Sequence, residues 1–335
     1  MRLPAPRGDL SEQLVGLLAS GSAPVTTLSA GPVESVADDD RQLALWILYE
    51  LHYRGFEEVD DSLEWDPDLL RLRLQLERPF ETWIRDLTEE EVAAAKEQGE
   101  DVVVALEHLT RGQPGALANH LQRDATEEQY REFLVERSIY HLKESDPHAW
   151  AIPRLGGAAK VALAELQYDE YGDGVPSRLH STLFAEALDG AGLDASYGAY
   201  VDQASWQTLA ANNAMSLFGL HRRLRGAAMG HLAAFEMTSS IPCRRYVQGA
   251  ERLELDERVV RYFDEHVEAD AVHEQLAART ICGSLVEDEP ELHDSVLLGA
   301  AACVALEGLA GARMLESWSS GRSALRAVGD RSSAA

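Results

Sequence analysis

Ionisable side chains recur on the apolar faces of helices in this chain, and that conflict limits what it can fold into. The dominant period is helical. Asp39 and Asp40 can cap a helix through Leu45, Leu48 and Leu51, with Gly55 after its end. Asp66-Pro67 opens another with proline at its first position, and Pro79 is expected to interrupt it. Thr88-Glu89-Glu90-Glu91 and Thr126-Glu127-Glu128-Gln129 read as capping boxes, the second opening a helix to about Glu144. Further helices are predicted over 156–171, 206–240, 256–281 and 292–318. Residues 102–109, VVVALEHL, could pass for a strand, but their acidic start and helical neighbours favour helix. No alternating run of β-branched residues stands out, so the expected class is all-α, a compact bundle with an N-terminal helical extension.

The expected organisation has four parts. Residues 1–40, rich in Gly, Ser, Ala and Pro, read as a flexible arm, helical at most around Leu10–Leu18. Residues 41–124 form the helical extension, 125–320 the main domain and 321–335 a tail. The formal net charge of −27 makes nucleic acid and anionic membrane poor partners. Cys243, Cys282 and Cys303 are too few and too far apart for a disulfide framework or a thiolate metal cluster, and they fit a reducing cytoplasm. No stretch approaches about eighteen apolar residues, and MRLPAPRGDLSEQ lacks an apolar core, so neither a membrane span nor a secretory signal is expected.

Three segments carry the ionisable residues. In YFDEHVEADAVHEQ, His266, Asp270 and His273 fall at roughly 0°, 40° and −20° around a helix, on the stripe begun by Val259 and Phe263. Burying them unpaired would cost several kcal/mol each. A divalent metal would offset that cost, since imidazole and carboxylate are good ligands. A partly solvated face with a helical Asp–His pair would also satisfy the pattern. In the second segment Glu170 shares a stripe with Leu163 and Leu166, and His180 shares one with Leu183, Phe184 and Ala187. An antiparallel pair joined by YGDGVPS would bring Glu170 and His180 together; a helix-end Glu and a first-turn His in water is the alternative. In the third, Glu144 closes a stripe with Phe133, Arg137 and Tyr140, and spacing does not separate it from Glu136 or His141. The set approaches what two first-row metal ions need. Carboxylate-x-x-His occurs once, at Asp270–His273, whereas ferritin-type sites need it twice. HExxH, the phosphate-binding loop, the nucleophile elbow and the dinucleotide fingerprint are absent.

Residues 125–320 resemble the heme-oxygenase-like diiron oxidases and oxygenases, through Glu144 in HLKESDPHAW, Glu170 in DEYGDG, His180 in SRLHSTLF and His266-x3-Asp270-x2-His273. The resemblance implies a heme-oxygenase-like bundle without haem that holds two iron ions, cycling between Fe2+ and Fe3+, with O2 as co-substrate. One iron would take Glu144, His180 and His273, the other Glu170, His266 and Asp270; either carboxylate could bridge, and Glu136 or Glu236 could add a ligand. It also implies oxidation of a small amine- or amino-acid-like metabolite, with N-oxygenation preferred to oxidative C–C cleavage or decarboxylation. The expected partners are that substrate and an electron donor, with a homodimer allowed.

Residues 212–240 carry Gly219, Gly226 and Gly230 in a helical pattern, which suits close helix packing. Arg222, Arg223 and Arg225 could hold a substrate carboxylate, although pairing with surface acids explains them as well. Tyr168 and Tyr171 flank Glu170 and could donate hydrogen bonds to the ligands, or be core aromatics. Two other readings stand beside the metal one. A metal-free bundle that binds a ligand or partner would make His266, Asp270 and His273 a polar core. A thiaminase-like enzyme would need a cysteine beside a recognisable base.

Overall fold

The structure is a computed structural model. It describes residues 1–20, 29–31, 35–112 and 115–327, with the side chains of 268–272 excepted. The described residues are helical with no strand among them. In order they form α1 (Asp9–Ser20), α2 (Asp39–Glu50), α3 (Pro67–Leu87), α4 (Glu89–Lys96), α5 (Val102–Thr110), α6 (Ala116–Arg123), α7 (Glu127–His141) and α8 (Asp146–Ala149). Then come α9 (Gly157–Glu170), α10 (His180–Gly190), α11 (Trp206–Leu220), α12 (Arg225–Arg252), α13 (Glu257–Gln275), α14 (Ser284–Asp288) and α15 (His293–Ser319). A π-helical stretch, Leu276–Gly283, joins α13 to α14.

The start of α7 is as expected: Thr126 accepts from Gln129 N and the Gln129 side chain returns to the Thr126 backbone. Other starts differ. Asp38 caps α2. Asp40 accepts from Leu10 N and Ser11 N at 2.9 and 2.8 Å, and so caps α1 instead. Thr88 makes no cap, because its hydroxyl donates back to Ile84 O. Pro79 does not interrupt α3. An internal proline costs ~3 kcal/mol, but buried Leu72, Leu76, Phe80 and Ile84 lie on either side of it along one stripe. At ~1.5–3 kcal/mol per buried side chain, packing outweighs the lost bond.

The helix expected over 206–240 is two helices. His221 is extended (φ −104°, ψ 112°). The Arg154 guanidinium captures the carbonyls of Gly219 and Leu220, which closes α11. Beyond the break α12 runs past Pro242 to Arg252. It packs against α13 and α15 and is the central helix of the main domain. The glycine pattern explains the close α12–α15 crossing: a Cβ at Gly230 would collide with Val296 O, and one at Gly299 with Ala227 O.

Residues 290–319 form one helix long and apolar enough to cross a membrane, contrary to the sequence reading. In the fold 61% of its apolar window is buried within the molecule, which accounts for the composition. Leu14 and Leu18 of α1 are buried in the core, and Ala5 N donates to Asp202 at 2.7 Å, so the described start of the expected arm is docked. Residues 21–28 and 32–34 of that arm, and 328–335 of the tail, lie outside the described residues. In the described tail, Ala324 N donates to Glu132 at 2.7 Å.

Candidate metal centre

Helix ends bring the ionisable residues together. α9 ends on Glu170 and α10 begins on His180. The turn between them needs Gly172 (φ +71°), where a Cβ would collide with the backbone of Arg178 and Leu179. The Glu170–His180 contact is 3.0 Å between Oε2 and Nδ1. Glu144 follows α7 and precedes Ser145, a non-glycine residue at φ +67°. Such a backbone costs ~1–3 kcal/mol and persists only where neighbours fix it. Here Ser145 N donates to the Tyr140 hydroxyl at 3.2 Å, and the Gln167 amide donates to the Ser145 hydroxyl.

Two groups of buried donors result. Glu144, His180 and His266 offer ligand atoms within 4.8 Å of one another, and so do Glu170, Glu236 and His273. Ligands sharing a first-row ion at ~2.0–2.2 Å lie at most about 4.4 Å apart, so small adjustments would seat an ion in each group. Glu170 touches both groups, since its other oxygen lies 3.4 Å from His273 Nδ1. The expected division is therefore corrected at the histidines. His266 sits with Glu144 and His180, its Nε2 3.5 Å from Glu144, while His273 Nδ1 faces Glu170 and Glu236. The side chain of Asp270 lies outside the described ones.

Supporting contacts fix the donors. His266 Nδ1–H donates to Tyr262 O at 2.7 Å, a turn away on α13, which turns Nε2 toward Glu144. The Tyr262 hydroxyl lies 2.9 Å from Glu144 Oε2 and 2.7 Å from His141 Nδ1, and that nitrogen is 2.8 Å from Glu144 Oε1. Burial opposes ionisation of Glu144, yet His141 and His266 hold its carboxyl well below the usual range. Burial likewise opposes ionisation of Glu170, but His180 and His273 bring it to about 2. Burial pushes His273 down, while Glu170 and Glu236 outweigh it and raise the imidazole to about 11.

Residues 131–308, just over half of the chain, match a family described as iron-containing redox enzyme. The chain belongs to this family. It is also 29% identical over 157 residues to nitrosourea synthase of Streptomyces achromogenes subsp. streptozoticus. That match covers 47% of this chain and 33% of the synthase, so the matched stretch spans about a third of the curated relative's length. The all-α bundle is of the heme-oxygenase-like kind expected of an iron-containing redox enzyme, and its buried His and Glu groups are compatible with iron.

The remaining candidates of this iron-containing redox enzyme lie elsewhere. Glu136 accepts from Ser205 N at 3.2 Å and joins neither group. Tyr168 is 56% exposed and donates to Asp173 O, and the Tyr171 hydroxyl bonds Asp146 at 3.1 Å. Arg225 pairs with Glu289 and Arg223 with Glu81, while Arg222 is exposed. A cavity of about 370 Å³ reaches Glu144, His141 and His266, with Phe235, Val304 and Leu315 among its apolar walls. Arg137 and Glu307 also line it. Sequence reading gave Tyr262 and Glu307 no role. Tyr262 stands four residues before His266 on the same stripe, a spacing that could have pointed to it.

Proposed function

We propose that this chain is a non-haem diiron enzyme that uses O2 to oxidise a small amine- or amino-acid-like metabolite in the cytoplasm, with electrons from a separate donor. The observation that carries the reading is Glu170, one carboxylate in contact with an imidazole of each donor group. A carboxylate placed so can bridge two ions. Glu144, His180 and His266 would hold one iron and Glu170, Glu236 and His273 the other, with Asp270 completing the set. Reduced iron there would supply electrons to O2. The protein holds Glu144 through Tyr262 and His141, fixes the tautomer of His266 through a main-chain carbonyl, and lines the cavity beside them mainly with apolar side chains.

N-oxygenation is the preferred reaction. A nitrosourea, the product in the relative's name, carries an oxidised nitrogen. The test compares wild type and His266→Ala, both produced with iron, for iron content and O2 uptake in the presence of reductant. Wild type should bind close to two irons and consume O2; the variant should lose at least one iron and the uptake. Equal iron content in the two proteins would overturn the reading.

A further inference from the structure

The cavity joins the metal centre to a charged pair that no role above uses. Arg137 Nη1 donates to Glu307 Oε2 at 2.6 Å, and the two side chains keep 21% and 31% of their surface accessible. Both face the cavity. Arg137 lies on α7 one turn before His141, roughly 6 Å along the axis, and Glu144 follows just beyond the end of that helix. Its volume of about 370 Å³ suits a small metabolite.

For stability alone this pair is a poor choice. Desolvating two ions costs several kcal/mol each, and apolar residues of similar size would often do as well. Its value lies in unused capacity. Arginine has five N–H donors and a carboxylate about four acceptor positions; the mutual bond takes one of each and the Tyr246 hydroxyl engages a further Arg137 donor, which leaves capacity on both groups. The pair presents both signs of charge, side by side, on an otherwise mainly apolar wall. A ligand with an adjacent carboxylate and ammonium answers both at once.

We propose that Arg137 and Glu307 hold the head group of a zwitterionic α-amino acid, its carboxylate on Arg137 and its ammonium on Glu307. The side chain then runs along the cavity toward Glu144 and His266. A side chain of about five atoms, advancing roughly 1.3 Å per bond, reaches about 6 Å from the head group in that direction, the length of one helical turn. The direction of the side chain rests on the diiron reading; recognition of the head group does not.

The test is calorimetric titration of the full chain, with iron content measured on every sample. L-Norleucine carries both charges, hexanoate lacks its ammonium and pentylamine lacks its carboxylate. L-Norleucine should bind at least tenfold more tightly than either. In Glu307→Gln it should bind no better than hexanoate, and in Arg137→Gln no better than pentylamine, a charge-by-charge loss that general destabilisation would not produce. Should either variant fail to fold, the wild-type series decides alone. No binding of L-norleucine, or less than tenfold discrimination, overturns the proposal. Equal iron in wild type and His266→Ala, with L-norleucine still preferred, would sink the diiron reading and leave the head-group site standing.

Discussion

Lys143 ties the N-terminal extension to the residue beside a candidate ligand, and its removal has a calculable cost. Its ammonium lies 3.0 Å from Glu50 Oε2, with the two side chains 2% and 0% exposed. Glu50 ends α2 and also accepts from the Tyr197 hydroxyl at 2.7 Å and from Arg54 N at 3.3 Å. The ammonium sits 4.2 Å over the Tyr53 ring. Lys143→Met keeps the stem's packing but leaves the Glu50 carboxylate buried without its cation. Breaking one side of a buried pair costs ~3–5 kcal/mol. Tyr197 and Arg54 still donate to Glu50, which places the loss near the lower end, about 3 kcal/mol. At roughly 2 °C per kcal/mol for a chain of this size, the melting temperature should fall by about 6 °C. The double variant Lys143→Met/Glu50→Gln removes both charges and should return to within about 1 kcal/mol of wild type. Urea unfolding of wild type, both single variants and the double variant gives the coupling directly. A loss below about 1 kcal/mol for Lys143→Met, or a double variant as weak as the two losses added, would refute this account of how α2 supports the centre.

Other expectations follow from single contacts. Tyr262→Phe deletes the hydroxyl bound to Glu144 and His141, and should weaken metal binding ~10–100-fold in chelator competition; unchanged affinity would show that Glu144 needs no such support. Metal uptake must displace the proton that His273 holds up to about 11. Apparent affinity for Mn(II) should therefore rise with pH across neutrality, about tenfold per unit for one proton, and calorimetry in buffers of different ionisation enthalpy should register its release. Gly230→Ala drives a methyl into Val296 O and should cost ~1–3 kcal/mol in denaturant unfolding. Arg222→Ala, at an exposed site, should leave stability within about 0.5 kcal/mol of wild type and metal content unchanged.

What sequence could show is clearest at Glu170 and His180. Their stripes and the Gly- and Pro-bearing turn between them are local features, and local features survive in a one-dimensional reading. The partition of His266 and His273 was not legible. Both lie on one narrow stripe, so angle alone gives them the same direction. Seven residues separate them, about 10 Å along the axis, and only the packing of α10 and α12 against α13 decides which carboxylate each one meets. Glu236 was visible only as an option, because α12 is buried on several sides and no apolar stripe marks a special face. Pro79 misled for a related reason. Proline is a local penalty, and the packing that overrides it comes from distant residues. Arg222 and Arg225 drew notice as a cluster, yet the arginine at the cavity is isolated Arg137, whose partner Glu307 is 170 positions away.

The buried charges also separate folding from loading. Two carboxylates of the centre, Glu144 and Glu170, are held below the usual carboxylate range by the imidazoles that face them. The backbone that presents them is fixed by other means: the strained Ser145 by Tyr140 and Gln167, the α9–α10 turn by Gly172, and α12 against α15 by paired glycines. None of these contacts needs a metal. One apolar cluster runs from Leu14 in α1 to Leu306 in α15, and a second gathers Phe133, Phe184, Tyr262 and Phe263 beside the candidate ligands. A small zinc domain has no such reserve, and its metal-binding energy is its folding energy. Here the donors are positioned by packing and hydrogen bonds of the bundle itself, so an ion bound between them would be held and oriented by side chains fixed from behind.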